Sequence, residues 1–243
     1  MIDSGRTAIV TGGGKRVGEA IVRALLGAGW SVVAHVHRDV DAVPDGAVKV
    51  VADLTQADCA ARIFGAAAAL PPIRLLVNNA ARFVEDGFGN ASPDEFDAHL
   101  AVNARAPTLL TDELARRHAG GDALVVNMLD AKLAAPNADF LSYTISKYAL
   151  AGLTEVAARA LAGDGIRVNA IAPALMLPSG EQGEENFEAV HDLNPLHRGI
   201  EVADVVAALR FLIDSQAMTG QTLGLDGGQR FMGLPRDVQF LES

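Results

Sequence analysis

Short aliphatic and β-branched runs alternate with Ala- and Leu-rich stretches along the chain. Thr7–Val10, Ser31–Val36, Ala47–Val51, Leu75–Val77, Ala123–Asn127, Arg167–Ile171 and Thr222–Leu225 predict strands. Between them, Val17–Ala28 predicts an amphipathic helix closed by Gly29, and Gln56–Leu70 a helix ended by Pro71-Pro72. Asn103–His118, Ser142–Leu161 and Val202–Ile213 predict three more. Strands that are apolar throughout suit a sheet covered on both faces. Their alternation with helices implies parallel βαβ units. The expected fold is α/β: one domain over 1–243, a Rossmann-type doubly wound parallel sheet of about seven strands flanked by helices. Gly180–Asn186 is the most polar stretch, reads as a loop, and is too short to divide the chain.

Composition narrows the class. The 243 residues are 50% hydrophobic, enough for a sizeable core. Acidic residues outnumber basic ones 30 to 20, for a net charge of −10. That balance argues against a nucleic-acid or anionic-membrane binder, while leaving room for a local basic pocket. The single cysteine, Cys59, excludes an intramolecular disulfide and a Cys-based metal site, and reads as a small core residue on a helix. The strand-like run at Thr7 leaves no room for a signal peptide, and no apolar stretch reaches membrane-spanning length. A cytoplasmic protein is the expectation.

Thr11-Gly12-Gly13-Gly14-Lys15-Arg16-Val17-Gly18 joins the first strand to the first helix. Glycines there let backbone approach a pyrophosphate, and the helix start offers N–H groups and a positive dipole. The spacing differs from G-x-G-x-x-G. The second strand ends His35-Val36-His37-Arg38-Asp39. Arg16, His35 and Arg38 suit the 2′-phosphate of NADP(H), because guanidinium pairs well with phosphate. Asp39 is the rival, an acid able to hold a ribose instead. His35 and His37 lack a third ligand, so no metal is expected.

Tyr143 and Lys147 are four residues apart, on one face of a predicted helix. A nearby ammonium favours phenolate, so Lys147 is expected to lower the Tyr143 pKa and make it a proton donor or acceptor near neutral pH. Tyr148 has no such partner and reads as packing.

Together these motifs resemble the short-chain dehydrogenase/reductase family over nearly the whole chain. The matching pieces are Thr11–Gly18, Asp53-Leu54-Thr55, Asn78-Asn79-Ala80, Asn103, Tyr143–Lys147, Arg167-Val168-Asn169, Thr219-Gly220-Gln221 and Asp226-Gly227-Gly228. The resemblance implies Asp53 and Leu54 near the adenine, and Asn78, Asn79, Ala80, Ala81 and Pro173 along the cofactor groove. It implies that Asn103 organises a water relay to Lys147, that Lys147 holds the nicotinamide ribose, and that the enzyme is a homotetramer. Three departures narrow it. Asp130 stands where family members usually have Ser, Arg16 replaces the middle loop glycine, and Ala81 follows Asn78-Asn79-Ala80. These resemble pteridine reductases and dihydromonapterin reductases, which share the Lys-Arg loop and a His-x-His-Arg strand end. In that group Phe83 corresponds to the ring that stacks on the pterin, with Arg16, Asp130, Tyr143 and Leu175 beside the substrate.

The implied activity is NADPH-dependent reduction of a pterin or dihydropterin C=N bond, with Tyr143 and Asp130 supplying the proton. The alternatives are a carbonyl reductase for a ketone or 3-oxoacyl substrate, and a non-catalytic NADPH sensor. Residues 173–193 lie where such folds place a substrate lid, with acids Glu181, Glu184, Glu185 and Glu188. The tail 229–243 carries Phe231, Met232, Leu234, Phe240 and Leu241 and is expected to pack on its own subunit or a neighbour.

Overall fold

The computed structural model describes residues 5–178 and 182–241. The strands are β1 Thr7–Val10, β2 Ser31–Val36, β3 Val48–Val51, β4 Ile73–Asn78, β5 Ala123–Met128, β6 Ile166–Pro173 and β7 Thr222–Leu225. They form one parallel sheet in the order β3-β2-β1-β4-β5-β6-β7. Alternation within each strand sends side chains to both faces. Ile9, Leu76 and Val125 join a core with Ile63, Phe64, Leu110 and Leu114 on one face. Ala8, Val10 and Val77 join Ile21, Val22, Leu25, Leu209 and Leu212 on the other. Each fully buried aliphatic side chain contributes about 1.5–3 kcal/mol relative to exposure.

The helices are α1 Arg16–Gly27, α2 Cys59–Gly65, α3 Pro93–Leu100, α4 Ala106–Arg117, α5 Leu141–Leu161, α6 Glu184–Val190 and α7 Val202–Asp214. Strand order reverses between β1 and β4. The carboxyl ends of these strands open a crevice at that switch point, where ligands bind in such sheets.

Three element expectations need correction. The helix expected over Gln56–Leu70 is only Cys59–Gly65, because Asp53–Gln56 forms a turn and 66–70 continue as three-residue turns. Cys59 is buried at its start. The helix expected from Asn103 begins ten residues earlier, at Pro93, capped by the Ser92 hydroxyl. It runs through a π-helical turn, Ala101–Arg105, into α4. Pro107 has no N–H for the Asn103 carbonyl four residues back, so the α-helical pattern cannot continue there. The polar stretch Gly180–Asn186 contains the start of α6; Gly180 and Glu181 lie outside the described residues.

Candidate active site

The glycine loop is built by close approach. Gly12 has φ +66, and a Cβ on Gly18 would lie 2.0 Å from the Gly12 carbonyl oxygen, so a side chain at Gly18 forces the loop off α1. The Thr11 hydroxyl accepts the Asn79 and Ala80 amides, each at 3.0 Å, and Asn79 Nδ2 donates to the Thr11 carbonyl at 2.9 Å. These bonds fix the β1 end against the β4 end. The α1 N-cap, Lys15, makes no side-chain cap bond. Lys15 and Arg16 line the main cavity and, among the described residues, form no salt bridge. A helix start with two unpaired cations fits an anionic dinucleotide. Arg16 keeps the positive φ, +53, that a glycine there would adopt without cost.

His35 departs from expectation. It is buried, its Nδ1 accepts the Gly12 amide at 3.2 Å, and its Nε2 lies 3.0 Å from the Ala52 carbonyl. With Nδ1 accepting, Nε2 carries the proton. Both nitrogens are spent, and burial lowers the pKa, so the ring is neutral and is not a phosphate clamp. It ties the glycine loop to the end of β3. Arg38 is exposed and paired with Asp41 at 3.0 Å, while the rival Asp39 pairs with Lys49. Asp53 accepts the Thr55 amide and hydroxyl, each at 2.8 Å, and those bonds hold its carboxyl below the usual range despite partial burial.

The ends of β4, β5 and β6 and the start of α5 meet in a cavity of about 540 Å³. Lys15, Arg16, Val17, Asn79, Ala81, Phe83, Asp130, Tyr143, Lys147, Pro173 and Leu175 all line it. The Tyr143 hydroxyl donates to Asp130 Oδ2 at 2.8 Å, and Asp130 Oδ1 accepts the Lys132 amide at 2.8 Å. Phe83 meets Tyr143 edge to face, with centroids 4.6 Å apart. Lys147 Nζ donates to the Met128 carbonyl at 2.6 Å and stands 5.5 Å from the Tyr143 ring centre. Burial lowers this ammonium to about 8.

The expected lowering of the phenol is not what the site produces. Burial and then the Asp130 carboxylate push the Tyr143 pKa well above its ordinary value. Tyr143 is therefore held protonated, as a reductive proton donor requires. Asn103 is buried, its Oδ1 accepting the Arg82 amide at 2.7 Å and its Nδ2 donating to the Arg82 carbonyl and Ser146 hydroxyl, each at 2.9 Å. Its side chain thus ties the π-helical turn to α5 at the residue before Lys147.

Residues 14–230 match the family model described as enoyl-(acyl carrier protein) reductase. The chain belongs to the short-chain dehydrogenase/reductase family. It is 34% identical to bovine (Bos taurus) L-xylulose reductase over 93% of this chain and 96% of the relative. It is 31% identical to pteridine reductase 1 of Leishmania tarentolae, covering 91% and 95%. Among solved structures, the FolM alternative dihydrofolate reductase 1 of Brucella canis, complexed with NADP, superposes with a TM-score of 0.86 at 36% identity, covering 94% and 95%. The enzyme class expected from the sequence, an NADP-dependent short-chain oxidoreductase, follows from this membership together with the cation-lined loop.

Sequence reasoning missed several residues of this short-chain reductase's site. Leu234, Arg236, Asp237, Val238 and Gln239 of the tail line the cavity, as does Lys132. The apolar residues of the tail were the only signal that it docks. Among the described residues there is no metal-ligating cluster and no helix long and apolar enough to cross a membrane.

Proposed function

We propose that this chain is an NADPH-dependent reductase of a pterin or dihydropterin C=N bond. The observation that carries the reading is the Tyr143–Asp130 hydrogen bond, 2.8 Å long, on a cavity wall shared with Phe83. Reducing C=N requires a proton on nitrogen as hydride reaches carbon. When bound, NADPH supplies the hydride. The Tyr143–Asp130 pair supplies the proton, and solvent restores it. Phe83, one face of which stacks on Phe140, lines the cavity and would meet a flat ring with its remaining surface. Lys15 and Arg16 would hold cofactor phosphate, Arg38 the 2′-phosphate, and Lys147 the nicotinamide ribose. Asn103, in the π-helical turn and bonded to Ser146 beside Lys147, would organise the water relay to Lys147.

A ketone reductase is the second reading. The similarity to L-xylulose reductase favours it, and a protonated Tyr143 serves a ketone oxygen equally well. NADPH oxidation with dihydropterins, quinones and small ketones separates the two. Turnover of dihydropterins supports the first, and turnover of ketones alone replaces it with the second.

The same reading makes 1–243 one catalytic domain with a substrate lid over 173–193, of which 179–181 lie outside the described residues. It places the enzyme in the cytoplasm as a homotetramer. Exposed Ile145, Tyr148 and Val156 along α5 support a contact between copies, and light scattering measures the assembly.

A further inference from the structure

The tail after β7 folds back over its own cavity, and three kinds of contact hold it there. Arg236 Nε lies 2.9 Å from both carboxylate oxygens of Asp139, and the Asp237 amide donates to Asp139 Oδ2 at 2.7 Å. Lys132 Nζ donates to the Asp139 carbonyl at 2.6 Å and to Asp237 Oδ2 at 3.3 Å. Phe240 stacks on Phe140 at 5.6 Å, and Phe140 stacks on Phe83 at 4.3 Å. The Asp139 side chain is 14% exposed and that of Lys132 8%, so solvent screens this cluster less than a surface pair. Burial opposes ionisation of Asp139, but Arg236 and the Asp237 amide outweigh it and hold the carboxyl below its ordinary range. Asp139 is thus an ionised hub between the tail and the loop that starts α5.

We propose that Asp139 determines specificity: it latches the C-terminal tail across the cavity and so restricts this reductase to compact ring substrates, excluding those on a long acyl-thioester arm. Asp139 lies outside the cavity lining and acts through the tail, whose Leu234, Asp237, Val238 and Gln239 form one wall. Pro173 to Leu177 form another. The Asn186 side chain of α6 donates to the Leu241 carbonyl at 3.3 Å, joining tail to the segment above the site. About 540 Å³ must take the reactive end of the dinucleotide as well as the substrate, and the tail walls off one side along which an extended chain would otherwise lie. An arm laid along this side would have to displace the tail and break the Asp139 bonds.

The test compares the unmodified chain, Asp139→Ala and the tail variant Arg236→Ala/Phe240→Ala, all saturated with NADPH. Substrates are a dihydropterin, a cyclic ketone and a long-chain 3-oxoacyl thioester of N-acetylcysteamine. The expected result is a thioester-to-ring ratio of kcat/KM that rises about tenfold or more in both variants, with faster amide exchange over 234–241. The cyclic ketone keeps the ratio measurable if dihydropterins are inert, so failure of the pterin reading is told apart from failure of this one. An unmodified enzyme that reduces the thioester as well as the ring substrates overturns the proposal. So does an unchanged ratio in both variants, or tail exchange that Asp139→Ala leaves unaltered.

Discussion

Asp86 caps a helix that lies 56 residues further along the chain. Its Oδ1 accepts the Ser142 amide at 2.9 Å and its Oδ2 the Ser142 hydroxyl. Ser142 is the second residue of α5 and Tyr143 the third. The local N-cap, Phe140, makes no side-chain cap bond and sits at φ +54. An orphan N–H at the start of α5, the helix that carries Tyr143, is thus satisfied from the loop after β4. Asp86→Ala should cost about 0.5–2 kcal/mol of stability and lower kcat more than it weakens NADPH binding. Asp86→Asn, which keeps an acceptor for the Ser142 amide, should recover part of both. Chemical denaturation and steady-state kinetics check this, and unaltered kcat in Asp86→Ala would show that Tyr143 does not depend on the cap.

His35 separates a strut from a clamp. His35→Leu leaves the Gly12 amide and Ala52 carbonyl without partners, at about 1–3 kcal/mol each. Its effect on cofactor affinity should be equal for NADPH and NADH, because both ring nitrogens are spent on Gly12 and Ala52. A selective loss of NADPH would restore the clamp. The pH dependence carries the same information. The folded pKa is below 6.5, so between the two values only the unfolded chain binds the proton. Stability should fall as pH drops below 6.5 toward the lowered pKa, and His35→Leu should flatten that slope.

Arg16 and Arg38 are predicted to differ. Arg16→Gly relieves a positive φ and should stabilise the cofactor-free fold by up to about 1 kcal/mol, while weakening NADPH and NADH alike through lost phosphate contact. Arg38→Ala should leave stability unchanged and, if Arg38 holds the 2′-phosphate as proposed, weaken NADPH far more than NADH. Calorimetric titration with both cofactors decides, and equal losses from Arg38→Ala would return the ribose to Asp39.

Tyr143→Phe should lower kcat by about 10²–10⁴-fold with cofactor binding nearly intact. Asp130→Ser should cripple dihydropterin reduction and keep or raise turnover of simple ketones, whose oxygen a hydroxyl can hydrogen-bond. Loss of both activities in parallel would show that Asp130 serves Tyr143 whatever the substrate.

Lys147 gives a slope of defined sign. Its folded pKa is about 8 against an ordinary 10.5, so between these values the unfolded chain binds the extra proton. Stability of the cofactor-free chain should therefore rise from about pH 8 toward 10.5, and Lys147→Met should remove this rise. NADPH affinity should move the other way, falling above about pH 8 as the ammonium is lost. Denaturation midpoints and NADPH titrations across that range measure both.

The sequence by itself determined the sheet. Apolar runs such as Leu75–Val77 and Ala123–Val126 have no other stable place than between two layers of helices, and each expected strand pairs in one parallel sheet. It also determined which chemistry stands at the strand ends, since Arg16, Asp130, Tyr143 and Lys147 converge on one cavity. Periodicity misjudged α2 and the start of α3. Turn hydrogen bonds at Asp53–Gln56 and a Ser92 cap outweigh local propensity there. Tertiary structure alone decided the state of each group. Spacing puts Lys147 near Tyr143, but depth of burial and the distance to Asp130 set the phenol's pKa, and neither is a local property. His35 reads as a surface cation until Ala52 and Gly12 close around it. Asp86 with Ser142, and Asp139 with Arg236, are partners 56 and 97 residues apart. No pattern along the chain encodes such pairs, because they exist only once the sheet has brought its strand ends together.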